Sequence, residues 1–192
     1  MKIIAIPLLT GLAGVSAPAL AHTGTGAIHG LMDGLLHPML GPDHWLVMLA
    51  IGVWAALQGG RAVWLLPLSF LTAMSAGAGL YSAGISIASA ETWVAVSLLL
   101  VGLLLRAPAL LPPAAAMGLA AVFAVGHGYV HAAELTGASN LPAYAAGFLL
   151  TTAGLHGLGI VLGRLGQTRF KWLNAAFSGV CVLTGAGLLA AG

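Results

Sequence analysis

The chain has 192 residues, of which 60% are hydrophobic and only ten, six basic and four acidic, carry a full charge. Soluble domains hold close to a quarter of their residues as charged groups, so the composition argues for a bilayer rather than a soluble core. The formal net charge is +2 and the basic residues are scattered, which excludes nucleic acid as a partner. A single cysteine, Cys181, cannot form an intrachain disulfide.

Residues 1–21 carry the signs of a cleavable signal peptide. Lys2 gives the positive start, Ile3 to Val15 is a short apolar stretch, and Ala19-Leu20-Ala21 is a small-x-small cleavage pattern. The mature chain is expected to begin at His22, outside the cytoplasm; the alternative is an uncleaved first helix. Residues 22–192 then form a single domain of six transmembrane helices.

The segment 22–42 is glycine-rich and moderately apolar, with His29, Asp33 and His37 inside it. A broken or half-helix is expected over 26–42. Hydrophobic runs follow at 45–57, 62–83, 92–105, 114–131, 141–162 and 170–191. A crossing takes about 20 residues. The run at 45–57 therefore starts earlier or is joined by the half-helix, and the run at 92–105 is expected to start nearer Ile85.

Arg61 falls between the first two runs and Arg106 between the third and fourth. Arg164, Arg169 and Lys171 fall between the last two, and the other loops carry no Lys or Arg. All basic residues of the mature chain thus share one side, which the positive-inside rule makes the cytoplasm. Both mature termini are then outside. The fold expected is an all-α, N-out/C-out protein of the bacterial inner (cytoplasmic) membrane, with the lipid bilayer as its surroundings. Glycines at small-residue spacing (Gly77/Gly79, Gly154/Gly157, Gly185/Gly187) suit close helix packing. Trp45, Trp54, Trp64, Trp93 and Trp172 read mostly as interfacial anchors.

Ionisable groups within spans are expensive and usually functional. His127, His131 and Glu134 follow i, i+4, i+7 spacing and share one helical face. Two imidazoles and a carboxylate there suit a borderline transition metal. The plainer alternative is a pair of packed histidines. Gly126 and Gly128 flank the first of them and would admit a neighbouring backbone. A second constellation, His37, Asp43 and His44, brackets Pro38, Gly41 and Pro42, which break any helix. Unwound backbone at membrane depth normally lines a site. Asp43 also suits a simple role at a helix start, where a carboxylate complements the dipole. Both constellations fall on the outer side, so two segments converge on one site.

Four further residues are weaker candidates. His29 and Asp33 lie at i, i+4, i+8 spacing with His37. His22 would be the mature N-terminal residue, able to chelate through imidazole and α-amine. His156 lies about 22 Å from the outer end of its span at 1.5 Å per residue, deeper than His127. It could continue a ladder of imidazoles or simply hydrogen-bond within the packing.

The run HPMLGPDHWLVMLAIG, beginning at His37, resembles the first signature of the HupE/UreJ nickel permeases. The run GHGYVHAAE from Gly126 to Glu134 resembles the second. There the family has Phe at the position of Gly126 and Gly at that of Ala132, while His127, Gly128, His131 and Glu134 match. The resemblance implies uptake of Ni²⁺, with Co²⁺ as a second substrate, from periplasm to cytoplasm for maturation of metalloenzymes. It implies that His37, Asp43, His44, His127, His131 and Glu134 handle the metal. The ion is then transported substrate, and no permanently bound cofactor is expected. The resemblance implies a permease and not an enzyme, and no Walker-type phosphate loop is present, so a secondary permease whose driving force need not be ATP is expected. The alternative is an intramembrane metal- or haem-binding protein, either a metalloenzyme or an electron carrier. Against a zinc hydrolase, Gly128 stands where that motif needs Glu.

Overall fold

The computed structural model describes residues 30–135 and 140–191. The expected signal peptide, His22 and His29 lie outside the described residues. Among those residues every regular element is a helix. A short helix α1 (Leu31–Leu36) runs into a 3₁₀ turn (His37–Met39), then α2 (Pro42–Gln58). Five more helices follow: α3 (Ala62–Ser82), α4 (Ala90–Leu104), α5 (Pro113–Ala133), α6 (Leu141–Thr168) and α7 (Lys171–Ala191).

The expected break is present. Gly41 adopts an extended conformation and Pro42 opens α2, where its missing N–H costs nothing. The two helical pieces on either side meet at 85°. The first piece begins at Leu31 and ends at Met39, inside the expected bounds of 26–42.

By length and apolar character α3, α5, α6 and α7 can each cross a membrane, and the bent pair of α1 and α2 makes a fifth crossing if counted as one. This is the architecture of a multi-pass membrane protein. The sixth expected span is α4, which has only 15 residues, below the length that normally crosses a bilayer. Its start is also later than expected. Residues 85–87 are not helical: the Ile85 N–H donates back to the Leu80 carbonyl at the end of α3, and the Ile87 N–H donates to the Tyr129 hydroxyl at 3.1 Å. Ser89, with φ of 57°, interrupts the helical path directly before Ala90.

Helix α2 is the centre of the bundle. Every residue from Leu46 to Ala56 is buried, as expected of a helix that is apolar all round. It is surrounded by α3, α4, α6 and α7. Trp54 is therefore a core residue with no exposure rather than an interfacial anchor, whereas Trp64 and Trp172 are mostly exposed.

One end of the bundle gathers the basic loops. Gln58 at the end of α2 donates to the carbonyls of Pro108 at 2.8 Å and Leu111 at 3.0 Å. That joins the turn bearing Arg61 to the loop that follows Arg106. Gln167, two residues before Arg169, donates to the Ala56 carbonyl at 3.5 Å. His37 and Glu134 sit at the opposite end.

Candidate metal site

The site is built where α5 is pressed against α3. A Cβ on Gly128 would collide with the Met74 carbonyl, and one on Gly77 with the Val125 carbonyl. Each glycine thus lets the partner backbone come into direct contact, and the flanking role expected of Gly128 is met by α3. At Gly126 the neighbour is a side chain: an added Cβ would lie 2.8 Å from the Trp93 indole. The aromatic group that the resemblance places at 126 is here excluded by an aromatic from α4.

With α5 fixed in this way, His127 and His131 face the break before α2. Their surroundings contain two groups of ligand atoms that share His131. In the outer group, His37 Nε2 lies 3.1 Å from Glu134 Oε2 and 3.2 Å from His131 Nδ1. His131 Nδ1 lies 3.5 Å from the same carboxylate oxygen. Donors about 2.0–2.1 Å from a common ion stand roughly 3 Å apart, so this triangle has the size of a coordination shell. The inner group is His44, His127 and His131, each offering one ring nitrogen within 4.8 Å of the others. All three side chains are buried.

The four imidazoles form a file. Ring centroids are 5.1 Å apart from His37 to His131, 4.2 Å from His131 to His44, and 5.7 Å from His44 to His127. His44 Nδ1, His127 Nδ1 and His131 Nε2 are buried and make no hydrogen bond with the protein. A buried polar atom without a partner is unusual, and three in one cluster suit a site that offers lone pairs to a cation. Glu134, just past α5, is the carboxylate of the group. Burial opposes its ionisation, but hydrogen bonds from His131 and His37 outweigh that and hold the carboxyl far below the ordinary carboxylate range.

The remaining candidates are placed differently. Asp43 lies in the first turn of α2, where its charge suits the helix dipole. Its Oδ1 turns back over Gly41, 2.8 Å from where a Cβ on that residue would stand, and it belongs to neither ligand group. Asp33 lies on α1, half-buried, and also belongs to neither. His156 on α6 is buried and donates from Nδ1 to the Met48 carbonyl at 2.7 Å, leaving Nε2 without a partner. Phe70 stands between it and the file, with its ring 5.8 Å from that of His127 and 5.2 Å from that of His156.

Two residues without a signal in the sequence take part. Phe70 lies in an apolar run where nothing distinguishes it from filler. Ser97, midway along α4, contacts His127 Nε2 at 2.8 Å. A hydroxyl in an apolar stretch most often bonds back to its own helix, and only the packing of α4 against α5 reveals the second contact.

A family model described as HupE / UreJ protein matches residues 10–189. Protein HupE of Rhizobium leguminosarum bv. viciae is 39% identical over 185 residues, which cover 95% of this chain and 96% of the relative. No solved structure matches the chain.

Proposed function

The chain belongs to the HupE/UreJ family, and from that premise we propose that it is a secondary permease for a divalent transition metal. Ni²⁺ is the first substrate and Co²⁺ the second, taken up from periplasm to cytoplasm across the bacterial inner membrane to supply metalloenzyme assembly. It performs transport and no enzymatic step. The observation that carries this reading is the sharing of His131 between two contiguous groups of ligand atoms, which gives an ion somewhere to go without full release.

In this proposal the chain loses residues 1–21 as a signal peptide, and six segments cross the membrane, α4 included. The end bearing Arg61, Arg106, Arg169 and Lys171 faces the cytoplasm, in keeping with the positive-inside rule. The end bearing His37 and Glu134 then opens outward. A hydrated M²⁺ exchanges waters first for His37, Glu134 and His131, then for His131, His44 and His127. Neutral imidazole is the ligand form, and the Glu134 carboxylate offsets the ion's charge where the dielectric is low. Asp43, at the mouth of α2, adds negative charge without being part of either triangle. From His127 the ion passes Phe70 to the free nitrogen of His156. An inside-negative potential favours a dication by about 4.6 kcal/mol per 100 mV, twice the unit-charge value, which suffices for inward movement without ATP.

The test is uptake of radioactive Ni²⁺ by cells producing His131→Ala, with membrane insertion checked by protease accessibility. Background uptake is expected, and wild-type uptake by a well-inserted variant would sink the proposal.

A further inference from the structure

His127 offers a metal only one of its two nitrogens, and which one depends on where its proton sits. We propose that Ser97 is a positioning residue that holds the proton of neutral His127 on Nε2 and so presents the Nδ1 lone pair to the ion. This rests on the metal-permease reading of the same site.

The hydrogen-bond geometry around Ser97 carries the inference. Its Oγ lies 2.7 Å from the Val94 carbonyl, one turn back in α4, and 2.8 Å from His127 Nε2. A serine hydroxyl has one proton and two lone pairs. The carbonyl can only accept, so if the proton goes to Val94, His127 must donate from Nε2 to Ser97. Both contacts are then satisfied and Nδ1 is a bare lone pair. In the other arrangement the hydroxyl donates to Nε2, which places the imidazole proton on Nδ1. The Ser97 and Val94 oxygens are then 2.7 Å apart with no proton between them, so one hydrogen bond is lost, while Nδ1 lacks a protein partner in either arrangement. Ser97 and His127 are both fully buried, so neither contact is relieved at an exposed surface.

The consequence is directional. His44 and His131 also hold buried nitrogens without partners, and the three residues share one ligand group. A proton on His127 Nδ1 would close that group to a cation. Residues that orient metal-binding histidines by taking the other ring proton are worth about 10–100-fold in metal affinity when removed.

The test combines two measurements on the full-length protein in lipid. Nitrogen NMR of ¹⁵N-histidine-labelled protein without metal, with the His127 signal identified by its loss in His127→Gln, reads the tautomer. Optical titration with Co²⁺ reads affinity. In the wild type, neutral His127 is expected to carry its proton on Nε2. In Ser97→Ala the proton is expected to redistribute toward Nδ1 and Co²⁺ affinity to fall about 10–100-fold. Ser97→Thr, which keeps the hydroxyl, is expected to restore both. An Nδ1-protonated His127 in the wild type overturns the proposal, and that measurement does not depend on whether Ser97→Ala folds. A Ser97→Ala protein with unchanged tautomer or unchanged affinity overturns it as well. Failure of the permease reading looks different: the wild type would bind no Co²⁺ at all while the metal-free spectrum still showed the Ser97-dependent tautomer.

Discussion

His37 Nε2 stands 3.1 Å from Glu134 Oε2, although the two residues are 97 positions apart in the chain. One belongs to a 3₁₀ turn that interrupts the entry to α2, the other to the first residue past α5. Their meeting closes the outer ligand group and brings the two signature-bearing segments together.

His131 belongs to both ligand groups, so its removal should be felt at both. In equilibrium titration of purified protein with Co²⁺, His131→Ala is expected to lose all high-affinity binding. His37→Ala and His127→Ala each spare one group and should retain weaker binding. Losing a residue that merely orients a ligand costs about 10–100-fold, and loss of a shared ligand should exceed that. Equal affinities for the three variants would contradict the shared role.

Glu134 should stay ionised well into the acid range. Its folded pKa is depressed, so its contribution to stability is complete above the ordinary carboxylate value of about 4.3 and is lost only as pH falls through the lower folded value. Infrared difference spectra of wild type against Glu134→Gln should show a carboxylate band, and no protonated carboxyl, down to about pH 4.3. A protonated Glu134 at pH 5 would contradict the assignment.

The glycine contacts predict a contrast in stability between neighbouring positions. Gly128→Ala and Gly77→Ala force a methyl group against a backbone carbonyl of the opposing helix, and overpacking of this kind typically costs about 1–3 kcal/mol. Gly79→Ala meets nothing within 4 Å and should be neutral. Unfolding in detergent, followed by circular dichroism, checks all three.

His156 should separate binding from movement. It lies beyond Phe70 and belongs to neither ligand group. His156→Ala is expected to leave Co²⁺ affinity of the purified protein near wild type while lowering the rate of uptake into reconstituted vesicles. A fall in affinity matching the fall in rate would place His156 in the binding site instead.

Much of the molecule was legible because the bilayer restricts its options. Long apolar runs cannot cross as anything but helices or barrels, so each of the six expected runs coincides with one of the helices α2 to α7. The break before α2 was legible because Pro38, Gly41 and Pro42 act locally. The start of α4 was not: Ser89 takes a left-handed conformation there, and the segment before it is held by the Tyr129 hydroxyl of another helix. Trp54 was misread for a similar reason: an indole at the end of a run is an anchor or a core residue according to which helices surround it.

The sequence by itself determined the class of the protein, the break and the shared face of His127, His131 and Glu134, since these follow from composition and from spacing along one helix. Tertiary structure alone decided that His37 and His44 complete two groups around His131, that Asp43 stands outside them, and that Ser97 and Phe70 border the file. Those relations join residues on different helices, and their distances are set by where Gly77 and Gly128 allow α3 and α5 to touch. No pattern within a single segment encodes that contact.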